Sequence, residues 1–137
     1  MDDKWVFRGW DAIGHKGWVY GDLVHNQKVT ETGLEPRVMV GGYEVVPESV
    51  GICLNIKDAK GTMLYEGDIV RIQSDVAKMF EIESEGVIHY TFGAFYFGKT
   101  SRRATVDFIC SCIGEFRGIV IGNVFQNSEL LKEDNHG

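Results

Sequence analysis

Short segments in which apolar and polar side chains alternate recur along the chain, about every 8 to 12 residues. In an extended strand, successive side chains point to opposite faces of a sheet, so such a segment can bury one face. Tight turns between strands often need a positive φ, which glycine adopts without steric cost. The chain has 17 glycines and only 2 prolines. These features predict an all-β protein made of short strands joined by tight turns.

The alternation predicts strands at 5–8, 18–20, 22–25, 52–56, 68–73, 86–92, 94–97, 104–113 and 118–121. Residues 37–46, apolar around Gly41-Gly42, predict a hairpin or a bulge. Residues 78–84 alternate weakly, and we expect Glu81, Glu83 and Glu85 on a solvated strand face.

The C-terminal tail differs from the rest of the chain. Asn127 or Ser128 is placed to cap a short helix through residues 129–132, with a frayed end at 133–137. At 137 residues the chain fits one domain, or two small β lobes at about 1–50 and 51–131, the second holding a barrel and the C-terminal helix.

Two segments resemble each other, Asp11–Val24 and Asp58–Val70. Each begins with an aspartate that opens a glycine-containing turn, and each contains a Gly-Asp step before a second strand. Two explanations stay open: duplication of an ancestral hairpin, or independent use of the same turn chemistry.

Charge and cysteine content limit the function classes. A net charge of −6 and a pI near 5.1 disfavour nucleic-acid binding, which needs clustered Lys and Arg. No apolar run approaches the roughly 20 residues that span a bilayer, and residues 1–5 lack the apolar core of a secretory signal. Three cysteines without a disulfide-framework spacing fit a reducing compartment. We therefore expect a cytoplasmic protein without membrane contact.

Cys110 and Cys112, with His89, do not match a zinc site, because structural zinc sites need four ligands and usually have two to four residues between paired ligands. In the predicted strand 104–113, both thiols share a face with Val106 and Phe108, which indicates core packing. Cys53 is interpreted in the same way. The sequence predicts no metal and no cofactor.

Catalytic groups are weakly indicated. Among the histidines, His15 lies in a predicted turn, His136 in the tail, and His25 and His89 in strands, none of them in a known catalytic motif. Asp22 and Asp68, one in each Gly-Asp step, form a candidate carboxylate pair for acid–base catalysis. Acceptance of backbone N–H bonds in a turn is the more ordinary role for such an aspartate.

The segment 92–103 is the feature that folding explains least. Alternation puts Phe95 and Phe97 on one face of a strand and Tyr96 on the other. Lys99, Arg102 and Arg103 follow without an acidic residue between them. Aromatic side chains beside cationic loops bind single-stranded nucleic acid in small β barrels. A core strand followed by a solvated loop is the simpler interpretation.

Five blocks of this sequence resemble the YopX family of phage and prophage proteins, in the order of that family. They read Phe7-Arg8-Gly9-Trp10-Asp11, Val46-Pro47-Glu48-Ser49-Val50-Gly51, Lys57-Asp58-Ala59-Lys60-Gly61, Leu64-Tyr65-Glu66-Gly67-Asp68-Ile69-Val70 and Val120-Ile121-Gly122-Asn123-Val124-Phe125-Gln126-Asn127-Ser128-Glu129-Leu130-Leu131. One departure is Cys53-Leu54-Asn55, where relatives usually have Tyr-Thr-Gly.

The resemblance implies a mainly β protein whose central part is similar to a small Src-homology-like barrel, of phage or prophage origin and in the bacterial cytoplasm. It implies no enzymatic activity, cofactor or catalytic residue. Our leading hypothesis is therefore a non-enzymatic interaction protein that binds a protein partner or itself. The alternatives are single-stranded nucleic-acid binding through Tyr96, Lys99, Arg102 and Arg103, and an enzyme that uses Asp22 and Asp68.

Overall fold

The computed structural model describes residues 6–91, 93–98 and 104–132. The chain divides after Cys53 into two units, residues 1–53 and 54–137, and the division falls within one strand, β6. The strands are β1 (Phe7–Trp10), β2 (Trp18–Gly21), β3 (Leu23–Thr30), β4 (Gly33–Val40), β5 (Tyr43–Glu44), β6 (Gly51–Lys57), β7 (Met63–Tyr65), β8 (Asp68–Ile72), β9 (Glu85–Thr91), β10 (Ala94–Gly98), β11 (Ala104–Thr105) and β12 (Gly118–Asn123). The helices are α1 (Ser74–Phe80), α2 (Val106–Ile113) and α3 (Glu129–Lys132).

The first unit is built from two antiparallel hairpins. β1 pairs with β2, with Trp10 opposite Trp18, and also with the first residues of β6. β3 and β4 pair along eight residues each, and the short β5 pairs with the end of β4. A small core of Val19, Val40 and Val45 closes the unit. Gly9 has no room for a side chain, because a Cβ there would lie 2.8 Å from the Val45 Cβ.

The second unit holds a five-stranded antiparallel sheet in the order β11-β10-β9-β8-β12, and β7 pairs with β6. Its core is closely packed, since seven of its side chains are at most 1% exposed: Leu64, Val70, Val76, Ile88, Phe97, Val106 and Ile109. Full burial of one such side chain contributes about 1.5–3 kcal/mol. The core therefore holds α2 and the sheet together.

The all-β prediction is confirmed as mainly β, but within the predicted strand 104–113 the helix α2 occupies residues 106–113. The Thr105 hydroxyl accepts the Phe108 N–H at 3.0 Å and caps the helix, and Gly114 ends it in the left-handed region. Apolar residues at 106, 109, 110 and 113 have helical spacing, and those at 106, 108, 110 and 112 have strand spacing. The cap and the burial of Ile109 select the helix.

The predicted strand face shared by Cys110 and Cys112 with Val106 and Phe108 was wrong because this segment is helical, whereas Cys53 is buried as predicted. Cys110 is half-buried against the core, whereas Cys112 and Phe108 are exposed. These three residues therefore do not share one buried face with Val106. The predicted strand face of Glu81, Glu83 and Glu85 was also wrong. Helix α1 occupies part of the weakly alternating segment, and Glu81 ends it at φ 56°. Glu81 and Glu85 therefore do not share a strand.

Other predictions are confirmed. Gly41-Gly42 turns the chain between β4 and β5 as a hairpin, and α3 lies at the predicted C-terminal helix. The five-stranded sheet ends at β11 and β12 among the described strands and does not close. A small barrel therefore stays a prediction.

Aspartates close the turns of both repeated segments. The Asp11 carboxylate accepts the N–H groups of Ile13 and Gly14 at 3.0 Å and of Lys16 at 3.3 Å. The Asp58 carboxylate accepts the N–H groups of Lys60 and Thr62 at 2.9 and 2.8 Å. The same use of aspartate fits both explanations of the repeat, because either an inherited hairpin or a common turn chemistry produces it.

Asp58 also fixes a distant strand. Its second carboxylate oxygen accepts the Val120 N–H of β12 at 2.9 Å, across 62 residues of sequence. The residue is 7% exposed, so water cannot readily replace these bonds. One side chain thus joins the β6–β7 turn to the edge of the five-stranded sheet.

We predict that Asp58→Ala lowers the free energy of unfolding by about 1–3 kcal/mol, because three backbone N–H groups lose a buried acceptor. Urea unfolding followed by tryptophan fluorescence and circular dichroism measures this change. Lys60→Ala is the control in the same turn, since its exposed side chain is removed and its N–H is kept, with an expected effect within about 0.5 kcal/mol. Equal effects of the two substitutions would contradict the role of Asp58.

A second prediction concerns pH. Hydrogen bonds from the N–H groups of Gly14 and Ile13 hold the pKa of Asp11 below its ordinary value of 3.8, against the opposing effect of burial. A carboxyl whose pKa is lower in the folded state adds stability above its unfolded pKa and loses it as the pH falls through the folded value. Wild type should exceed Asp11→Asn in stability at pH 7, and the difference should shrink below about pH 4. Urea titrations from pH 7 to 3 test this, and a pH-independent difference would contradict it.

Candidate interaction surface

The structure describes one of the four residues predicted to bind nucleic acid. Tyr96 is half-buried on β10, opposite His89 of β9 and Thr105 of β11. Lys99, Arg102 and Arg103 lie outside the described residues. Phe97 is buried in the core, and Phe95 packs against the same core. Because side chains alternate along a strand, Tyr96 lies on the other face, as predicted.

A cavity of about 430 Å³ lies beside Phe95 in the second unit. Its lining is mostly apolar and includes Leu54, Ile56, Ala94, Phe95, Val106 and Asp107. Asp107 is the charged residue of the described lining, and a carboxylate repels phosphate. A smaller pocket of about 200 Å³ is lined by Arg71 and Arg117, which are ion-paired with Glu85 and Glu115. Neither pocket therefore favours a nucleic-acid backbone.

The candidate carboxylates belong to different units and lie in different environments. Asp22 is exposed, whereas Asp68 is 2% exposed and accepts the Tyr65 N–H at 2.8 Å. Neither residue lines the two pockets described above. The turn role predicted for such an aspartate is confirmed for Asp68.

The Cys110 thiol lies in an environment that lowers its reactivity. Burial, and then the nearby charge of Asp107, raises the pKa of the Cys110 thiol, which disfavours the nucleophilic thiolate. Within residues 6–91, 93–98 and 104–132, no three His, Cys, Asp or Glu side chains are grouped to hold a metal ion.

Asn123 has a local structural role. It lies in the last block of the family resemblance and is 8% exposed. Its side chain accepts the Gln126 N–H at 2.8 Å, and its own N–H donates to the Asn127 side chain at 3.1 Å. Asp11, Asp58, Asp68 and Asn123 thus all accept backbone N–H groups in or beside turns.

The most unusual surface is the hairpin β3–β4, which we call the arm. Its base is buried at Val40, but the residues toward its tip are exposed, and the tip pair Val29 and Leu34 is 83% and 63% exposed. Exposure along both strands is unusual for a hairpin, which normally buries one face. The arm is therefore available for contacts.

The two edges of the arm differ. The Val38 C=O accepts the Val45 N–H, so the backbone groups of Val38 point away from β3. Alternation then directs the backbone groups of Pro36 and Leu34 outward as well. Proline has no N–H, so Pro36 blocks this edge without the loss of a hydrogen bond to β3.

The opposite edge belongs to β3. His25, Gln27 and Val29 are the register partners of Val38, Pro36 and Leu34, so their N–H and C=O groups also point outward. β3 is the end strand of its sheet among the described strands. It has no proline, and its one lysine, Lys28, bonds Glu44 at 3.1 Å. The edge of β3 therefore lacks the usual protection of edge strands.

The two faces of the arm also differ. One face carries polar pairs, including Lys28 with Glu44 and Arg37 with Asn26 at 2.7 Å. The other face carries the apolar tip pair Val29 and Leu34.

The arm was not predicted from the sequence, because the predicted strand at 22–25 ended at His25. The missed signal was the turn segment Glu31-Thr32-Gly33, which follows the β-branched pair Val29-Thr30 and has Gly33 at φ 127°.

This chain matches a known protein family. The sequence model described as YopX protein matches residues 6–132, nearly the whole chain. No curated protein matches this sequence. In the described parts of the chain, no helix has the length and apolar character required to cross a bilayer.

Proposed function

The chain belongs to the YopX family, and on that premise we propose that it is a non-enzymatic interaction protein whose arm adds a strand to the sheet of a protein partner. The observation that carries the proposal is the outward row of backbone groups at His25, Gln27 and Val29. In strand addition, main-chain hydrogen bonds give affinity, and alternate side chains give specificity. The arm offers both, an unprotected edge and an exposed apolar pair.

The polar residues in the blocks of the family resemblance support the non-enzymatic part of this proposal. Asp58 and Asn123 use their side-chain oxygens for backbone N–H groups of this chain. Asp68 does the same inside the core. A catalytic carboxylate would instead face a substrate cavity. Turn closure accounts for these residues without a reaction.

We extend the proposal to origin, location and fold. The family resemblance implies a phage or prophage protein in the cytoplasm of its bacterial host. We also infer that the five-stranded sheet corresponds to the small Src-homology-like barrel. A bulge in β12 between Val120 and Gly122 supports this inference, because a bulge bends a strand and increases its twist.

Nucleic-acid binding stays a second hypothesis from the sequence. It depends on Lys99, Arg102 and Arg103, and the half-burial of Tyr96 leaves it a smaller stacking surface than a free aromatic platform has. The proposed arm contact uses residues that the structure describes, and we therefore rank it first.

The test compares two substitutions at one exposed position. Gln27→Pro removes the outward N–H of β3 and adds a ring at the contact, whereas Gln27→Thr keeps the N–H. Immobilised wild-type protein, incubated with an extract of the bacterial host, should retain a protein partner. This partner is either another protein or a second copy of this chain. Gln27→Pro should weaken retention about tenfold or more, since one lost bond and the ring cost at least about 1.4 kcal/mol.

The control and the fold are checked together. Gln27→Thr should retain the partner as wild type does, and all three proteins should give the same circular dichroism spectrum. Equal retention by wild type and a folded Gln27→Pro, or no retained protein for wild type, would overturn the proposal.

A further inference from the structure

The edge of β3 can pair with an identical edge. Its exposed outward residues, His25, Gln27 and Val29, are spaced evenly about Gln27. When two copies meet antiparallel with Gln27 opposite Gln27, His25 of each copy lies opposite Val29 of the other. All three outward positions are then paired, and each hydrogen-bonded pair exchanges two bonds. We propose that the arm binds a second copy of this chain in this register, as a two-fold dimer with a continuous β4-β3-β3-β4 sheet.

Side-chain placement supports the second copy as the partner. The register brings the exposed tip residue Val29 of one copy beside His25 of the other copy, next to the half-buried Leu23 and Val38 at the base of that arm. The apolar tip residue Val29 therefore lies diagonal to the apolar Leu23 of the other copy, and the two-fold symmetry repeats the contact.

The charge of the arm also favours self-association. The whole chain carries −6, so two copies repel each other at most surfaces. Between residues 23 and 38, however, Lys28 and Arg37 balance Glu31 and Glu35. Directly opposite residues in the proposed register carry no like charges, since Lys28 faces Asn26. The arm is therefore a neutral region where two acidic copies can meet.

This inference rests on the proposed function, since it names the partner of the same edge. The first test is sedimentation velocity over a range of protein concentrations. Wild type should shift from monomer to dimer. Gln27→Lys should raise the dimer dissociation constant at least about tenfold, because the substitution puts like charges opposite each other on the two-fold axis. Thr32→Lys, with the same charge change at the exposed turn, should leave the constant within about twofold.

The second test reads the register by disulfide formation in a Cys112→Ser background, which removes the exposed native thiol. Opposite residues of a hydrogen-bonded pair have Cα atoms about 5.5 Å apart, within disulfide reach. Gln27→Cys should cross-link two copies on mild oxidation. Glu31→Cys should not, because two such residues would lie about 26 Å apart in this register.

The outcomes separate the two claims. A wild type that is monomeric at every concentration, or cross-linking at Glu31→Cys rather than at Gln27→Cys, overturns the second-copy inference. If the host extract then yields another protein that Gln27→Pro fails to retain, the proposed function still holds. If Gln27→Pro retains that protein as well as wild type does, both claims fail.

Discussion

Backbone hydrogen bonding is the constraint on which this structure depends. A protein of short strands has many turns, and each turn leaves N–H and C=O groups that the sheets do not pair. In the described residues, short polar side chains supply the missing acceptors, at Asp11, Asp58, Asp68 and Asn123. Asp58 shows the consequence most clearly, because the same carboxylate closes a turn and holds β12. Loss of one such acceptor therefore affects more than its own turn.

The same constraint identifies the surface available for function. Where the chain protects an edge, it does so specifically, as Pro36 does on β4. Where it does not, as on β3, the outward groups can be paired by another strand. The proposed function and the proposed dimer are both consequences of this asymmetry. They need no cavity and no reactive side chain, and the mostly apolar cavity beside Phe95 is not required for either.

Much of the fold could be predicted from local chemistry, and the errors lie where the apolar pattern is ambiguous or absent. The strands β6, β8 and β12 were predicted because apolar residues alternate there between Gly-containing turns. Helix α2 was missed because Val106 and Cys110 fit both a period of 2 and a period of 3.6. The arm was missed because Asn26, Gln27 and Lys28 are polar on both faces, so no buried stripe indicates a strand. The residues predicted to bind at 99–103 lie outside the described part of the chain, whereas the site that we propose lies on the arm.

The sequence by itself determined the mainly β class, the turn positions of Asp11 and Asp58, the C-terminal helix and the family blocks. These depend on glycine conformations and on hydrogen bonds between residues close in sequence. Only the tertiary structure decided that Asp58 reaches Val120, that Ile109 is buried in a helix, and that β3 has an open edge opposite a blocked one. Each of these depends on which distant segments come together, because pairing and burial are properties of neighbours in space.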